Sequence, residues 1–104
     1  MINQNAKLKE NIFEKPDLAP SRDGFGEGLL ELGESNPNVL VCCADLAEST
    51  RVLAFKEKYP ERYVEIGVAE QNLATIASGL ANYGKIPFIT SYAYTAEGLA
   101  AARM

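Results

Sequence analysis

Glu70 lies in the run Gly67-Val68-Ala69-Glu70-Gln71-Asn72, where a short β-type stretch, residues 63–66, hands over to a helical pattern. Ligands of open α/β sheets sit beyond the carboxyl ends of the strands, where helix N-termini also point. A carboxylate at this junction is placed to meet such a ligand. A first-turn Glu also interacts with the helix dipole, worth about 0.3–1 kcal/mol, and position alone does not separate the two roles. Asp45, just past another apolar run, has the same ambiguity, since a loop Asp readily accepts hydrogen bonds from nearby backbone amides. The chain contains no His, so chemistry that uses one must take it from another chain.

Two other candidates fail on context. Gly24-Phe25-Gly26-Glu27-Gly28 looks like a glycine-rich phosphate loop, but no strand precedes it, and its last glycine falls two residues after the second where the dinucleotide fingerprint needs three. Cys42 and Cys43 are adjacent inside an apolar run, so on a strand their side chains point to opposite faces. No spaced second pair exists to build a metal site, and none is expected.

The elements that position these groups follow from periodicity. Ser21 is a plausible N-cap for a helix carrying Phe25, Leu29, Leu30 and Leu32, with Gly33 and the following Ser35-Asn36-Pro37-Asn38 as its stop. Residues 39–44 are continuously apolar, as expected of a parallel strand covered on both faces. Residues 51–58 read as a second helix, 63–66 as a second strand, 69–83 as a helix with one apolar stripe closed by Gly84, and 86–90 as a third strand. Alternating strands and helices predict a parallel sheet in a three-layer α/β/α fold. Residues 1–20 read as an extension or linker, with a short helical stretch around residues 6–13, and residues 21–104 as one domain.

At 104 residues the chain is one small domain at most. Its hydrophobic content of 47% and charged content of 23% are ordinary for a globular protein. A net charge of −4 with scattered Lys and Arg argues against a nucleic-acid footprint. No apolar run approaches the ~20 residues of a membrane span, so a cytoplasmic location without membrane attachment is expected.

The wording around these elements resembles a known family. Tyr59-Pro60-Glu61-Arg62-Tyr63, Gly67 to Leu73, Ala77-Ser78-Gly79-Leu80-Ala81 and Gly84-Lys85-Ile86-Pro87-Phe88 are similar to the pyrimidine-binding domain of transketolases, above all the split type made of two subunits. Ser21-Arg22-Asp23-Gly24-Phe25-Gly26 and Ala44-Asp45-Leu46-Ala47-Glu48-Ser49-Thr50 resemble two further blocks, so the likeness runs from about residue 20 to 94. Several ordered blocks are far more specific than one. The resemblance implies the thiamine-diphosphate-binding fold and a transferase subunit that moves a two-carbon ketol unit between sugar phosphates, in carbohydrate metabolism of the pentose phosphate type. Glu70 would then be the catalytic carboxyl that hydrogen-bonds the cofactor's aminopyrimidine. Tyr92 would stack on that ring, and Leu46 would pack against the cofactor near its reactive centre. Arg22 and Ser49 would hold the substrate's phosphate, a planar fork and a hydroxyl suited to phosphoryl oxygens. Magnesium and the diphosphate would be held by a partner subunit in a hetero-oligomer of dimeric symmetry.

After Ala93 the likeness fades. Relatives usually carry a second aromatic where Thr95 stands, although Tyr94 could add to the same wall, and the remaining strands and carboxy-terminal domain of the family are expected to lie outside this chain. The expectation is a truncated pyrimidine-binding domain whose activity requires the partner. The rivals are 1-deoxyxylulose-5-phosphate synthase, which usually shows His where Asn72 stands, the β subunit of 2-oxoacid dehydrogenases, and a non-catalytic partner-binding module.

Overall fold

The protein is described by a computed structural model covering residues 5–7, 10, 12–14 and 17–92. Tyr94 and Thr95 lie outside the described residues.

Helix α1 spans Ser21–Ser35, strand β1 Val39–Cys43, helix α2 Leu53–Lys58, strand β2 Tyr63–Glu65, helix α3 Glu70–Asn82 and strand β3 Ile86–Thr90, with a 3-10 turn at Pro60–Arg62 before β2. The sheet is parallel throughout, in the order β2-β1-β3. Every residue of β1 is buried, which is why this strand lacks the polar alternation of a one-sided sheet. Its two faces build separate cores. Leu29 of α1, Val52 and Phe55 pack on Val39, Val41 and Cys43. Leu73 and Ala77 of α3 pack on Leu40, Cys42 and Ala44. The adjacent cysteines thus serve opposite layers, as strand geometry requires, and the α/β/α sandwich is the predicted one. Phe55 is fully buried, a burial worth about 1.5–3 kcal/mol. No helix among the described residues is long and apolar enough to cross a membrane.

The ladder register matters most for function. Cys43 is level with Glu65 on one side and with Thr90 on the other. All strands therefore finish in one row, and the segments after them emerge on the same edge. These segments carry Asp45 and Leu46, then Gly67 to Glu70, then Ser91 and Tyr92.

Several boundaries differ from expectation. Ser21 is already helical, and the capping position belongs to Pro20, whose carbonyl accepts the Asp23 amide at 3.0 Å without any side-chain cap. The helix also runs through Gly33 instead of stopping there. Gly33 is buried, and a Cβ on it would lie 2.8 Å from Phe55 and 2.9 Å from Tyr59. Its missing side chain lets α1 press against the aromatic pair; it is not a C-cap. Helix α2 starts at Leu53, because Arg51 has a left-handed φ of 65° that no helix accommodates. The Arg51 carbonyl points at α1, where a Cβ on Gly26 would meet it at 2.4 Å. The glycine-rich segment is therefore helix interior and not a phosphate loop. Of the stretch 6–13, the described residues are in turns or irregular backbone, not helix.

Arg62 closes the opposite end of the sheet. Its Nη1 donates to the carbonyls of Gly33 at 3.0 Å and Asn36 at 3.2 Å, satisfying acceptors at the carboxyl end of α1. The guanidinium stacks 3.8 Å above the Tyr59 ring.

Gly33 and Gly28 share one helix and give a matched test. Nothing lies within 4 Å of a Cβ on Gly28, so Gly28→Ala should raise stability by about 0.5–1 kcal/mol through helix propensity. Gly33→Ala should lower it by about 1–2 kcal/mol, since overpacking outweighs the same propensity gain. Urea denaturation midpoints of the two variants check both signs.

Candidate functional site

At the carboxyl edge of the sheet an open groove of about 520 Å³ runs between α1, the segment after β1 and the end of β3. Arg22 and Phe25 come from α1, Ser49 and Thr50 from the segment after β1, and Ile89 to Tyr92 from β3 and its exit. Three of the residues singled out in the sequence, Arg22, Ser49 and Tyr92, thus meet in one place.

A set of hydrogen bonds braces the groove. Thr90, 4% exposed, is the buried polar residue of its floor. Its hydroxyl lies 2.8 Å from that of Thr50 and 3.4 Å from the Cys43 sulfur. The Thr50 hydroxyl donates to the Leu46 carbonyl at 2.8 Å, bracing the loop from within. Arg22 donates to the Ser49 carbonyl at 3.3 Å, so the guanidinium contacts the backbone of Ser49. Arg51 pairs with Asp23 at 2.8 Å, which offsets the acidic side chain in the first turn of α1.

Glu70 is the first residue of α3 and is half-buried. Its Oε1 accepts the Ser91 hydroxyl at 3.4 Å, and Ser91 lines the groove. The carboxyl therefore stands one side chain away from the groove, beside the strand exit that carries Tyr92. Tyr92 is 37% exposed. Leu46 is placed differently. It packs against the Phe55 core and lines a neighbouring pocket of about 310 Å³ with Asp45, Lys56 and Glu65. Ser49 belongs to both pockets and forms the wall between them.

Glu65 was not singled out by sequence reasoning. Its Oε1 accepts the amides of Asp45 at 2.7 Å and Gly67 at 3.0 Å, and its Oε2 accepts the Tyr63 hydroxyl at 2.6 Å. Burial alone would raise the Glu65 pKa, but the Tyr63 hydroxyl, the two amides and the Lys56 charge outweigh it and hold the carboxyl below the usual range. Burial, followed by the bond to Glu65, pushes the Tyr63 hydroxyl well up. A signal was present in the sequence. Residues 63 and 65 are two apart on a strand and share a face, which puts a Tyr hydroxyl and a carboxylate within reach of each other.

This edge can therefore offer an aromatic ring, a half-buried carboxyl, a guanidinium and hydroxyls around one groove. That set suits a flat, nitrogen-containing ring and an anionic group together.

Comparison with known proteins places the chain in a family. Residues 19–101 match the family described as transketolase, pyrimidine binding domain. A protein of Methanocaldococcus jannaschii described as a transketolase C-terminal section is 47% identical over 79 residues, covering 76% of this chain and 25% of that protein. A 1-deoxy-D-xylulose-5-phosphate synthase of Desulfotalea psychrophila is 37% identical over 81 residues, 78% of this chain and 13% of the synthase. Among solved structures, a split gene transketolase described as an inactive beta4 tetramer superposes with a TM-score of 0.67 at 45% identity, over 77% of this chain and 27% of that one. The chain thus spans about a quarter or less of the length of these relatives. By matched segment and by fold, the chain belongs to the transketolase pyrimidine-binding domain family.

Proposed function

We propose that this chain supplies the pyrimidine side of a thiamine-diphosphate site in a transketolase-type transferase that moves a two-carbon ketol unit between sugar phosphates. The observation that carries the reading is the meeting of Arg22, Ser49 and Tyr92 in one groove, with the Glu70 carboxyl joined to its lining through Ser91.

The side chains suit the cofactor's ring. Tyr92 offers a π-face beside the apolar flank of Ile89, and Glu70 offers a carboxyl able to share a proton with a ring nitrogen. When bound, thiamine diphosphate supplies an acidic thiazolium carbon that adds to a carbonyl and holds the resulting negative charge. Glu70 holds the proton at the pyrimidine nitrogen, and Ser91 restrains the carboxyl. Leu46, in the adjoining pocket, presents an apolar side chain that helps exclude water.

The substrate's phosphate belongs at the start of α1. Ser21 and Arg22 line the groove there, and the first-turn amides of a 15-residue helix favour an anion. Arg22 adds a guanidinium fork and Ser49 a hydroxyl.

Among the described residues no group of three or more metal-ligating side chains stands together. Under this reading magnesium and the diphosphate are bound by a partner subunit, in a hetero-oligomer. A transketolase C-terminal section and a split gene transketolase among the relatives support the need for a partner subunit. The alternative activity is that of the 1-deoxy-D-xylulose-5-phosphate synthase relative, and Asn72 favours the transketolase reading, because that synthase usually carries His there.

In the chain reconstituted with the diphosphate-binding subunit, Glu70→Gln should slow deuterium exchange of the cofactor's thiazolium hydrogen by about 10²–10⁴-fold without preventing assembly. An unchanged exchange rate refutes the role of Glu70. Exchange that depends on Glu70 without ketol transfer between sugar phosphates would move the assignment to the synthase.

Arg22→Ala and Ser49→Ala should raise the Michaelis constant for phosphorylated sugars far more than for unphosphorylated analogues. Loss of a charged hydrogen bond costs about 1.5–3 kcal/mol, or about 10- to 150-fold. Steady-state kinetics with both substrate types decide it, and equal effects on the two remove the phosphate role.

A further inference from the structure

The two segments that carry Leu46 and Glu70 are joined through one oxygen atom. Glu65 Oε1 takes the amide of Asp45 from the segment after β1 and the amide of Gly67 from the turn before α3. Both residues are left-handed, Asp45 with φ 57° and Gly67 with φ 79°. Gly67 adopts that conformation freely, but Asp45 does so at a cost, and such backbone persists only where its surroundings hold it. Leu46 directly follows the first and Glu70 stands three residues after the second. The other oxygen of Glu65 accepts from Tyr63, whose ring is packed against the Phe55 core, an added brace that the two amide bonds do not require. Lys56 lies over that ring at 5.0 Å and lines the same pocket as Glu65.

We propose that Glu65 is a positioning residue of the site: by holding the Asp45 and Gly67 amides on a single oxygen, it sets the spacing between the Leu46 segment and the start of α3 that carries Glu70. The inference rests on the reading that Leu46 and Glu70 face the cofactor. It assigns Glu65 no contact with cofactor or substrate.

The prescribed geometry depends on an oxygen and not on a charge. Glu65→Gln keeps an acceptor for both amides and offers its NH2 to the Tyr63 oxygen, whereas Glu65→Leu removes the acceptor. Tyr63→Phe leaves both amide bonds in place.

The test uses the full chain, alone for backbone amide exchange and in complex with the diphosphate-binding subunit for thiazolium exchange. In Glu65→Leu the Asp45 and Gly67 amides should lose protection while those of β1 keep theirs. Thiazolium exchange should fall about a hundredfold, as expected for a misplacement of about 1 Å, with Glu65→Gln recovering it to within about threefold. Tyr63→Phe should leave both amides protected. The proposal is overturned if the two amides stay protected in Glu65→Leu, if they open while thiazolium exchange is unchanged, or if Glu65→Gln is as impaired as Glu65→Leu. Should Glu65→Leu also lose β1 protection, Glu65→Gln decides: open Asp45 and Gly67 amides there overturn the proposal, and protected ones uphold it. Failure of the cofactor reading is separately visible, because Glu70→Gln would then leave thiazolium exchange untouched whatever the amides do.

Discussion

The burial of β1 on both faces is the constraint on which the rest of the structure depends. Five consecutive residues with no solvent-facing side chain require a layer above and a layer below, and a neighbour on each edge to take the backbone hydrogen bonds. With both neighbours parallel and in register, the three strands end side by side. The groove is a by-product of that alignment. Ser49 and Tyr92, far apart in sequence, meet because the strands that deliver them stop at the same height, and the first turn of α1 brings Arg22 beside them.

The two ends of the sheet are closed in different ways. At the amino end, Arg62 and the Phe55–Tyr59 aromatic pair fill the space under α1, and Gly33 provides the clearance. At the carboxyl end the backbone itself is bent, with left-handed conformations at Asp45, Arg51 and Gly67; one Glu65 oxygen holds the bends at Asp45 and Gly67, and the Glu48 carbonyl accepts the Arg51 amide. Strained backbone held by its surroundings is concentrated at the end where the candidate site lies, in keeping with the general pattern for functional loops.

Much of this was legible in the sequence, for identifiable reasons. The unbroken apolar run of β1 marked a strand buried on both sides. The helical spacing of Leu73 and Ala77 marked the inner face of α3, and the adjacency of Cys42 and Cys43 assigned them to opposite layers. The blocks around Arg22, Ser49 and Tyr92 pointed to residues that share one groove. What failed were inferences from single residue types. Gly33 reads as a terminator because glycine often ends helices, yet here its value lies in close packing, which depends on the unseen partners Phe55 and Tyr59. Ser21 reads as a cap, but Pro20 already sets the entry to α1. The start of α2 was misjudged because a left-handed Arg carries no signature in composition. Glu65 was passed over because its partners are backbone amides of two segments that come together only in the folded sheet.

Strand β3 has one further consequence. Its inner edge is bonded to β1, while among the described residues its outer edge has no strand beside it, and Ile86 and Ile89 remain exposed. The same strand ends in Ser91 and Tyr92, on the lining of the groove. Chain that pairs with the outer edge stiffens the backbone from which those two residues project, lowering the entropic cost of a ligand that uses them. Were such a chain to pair there, its pairing and occupation of the groove would be thermodynamically linked, each strengthening the other by the same factor.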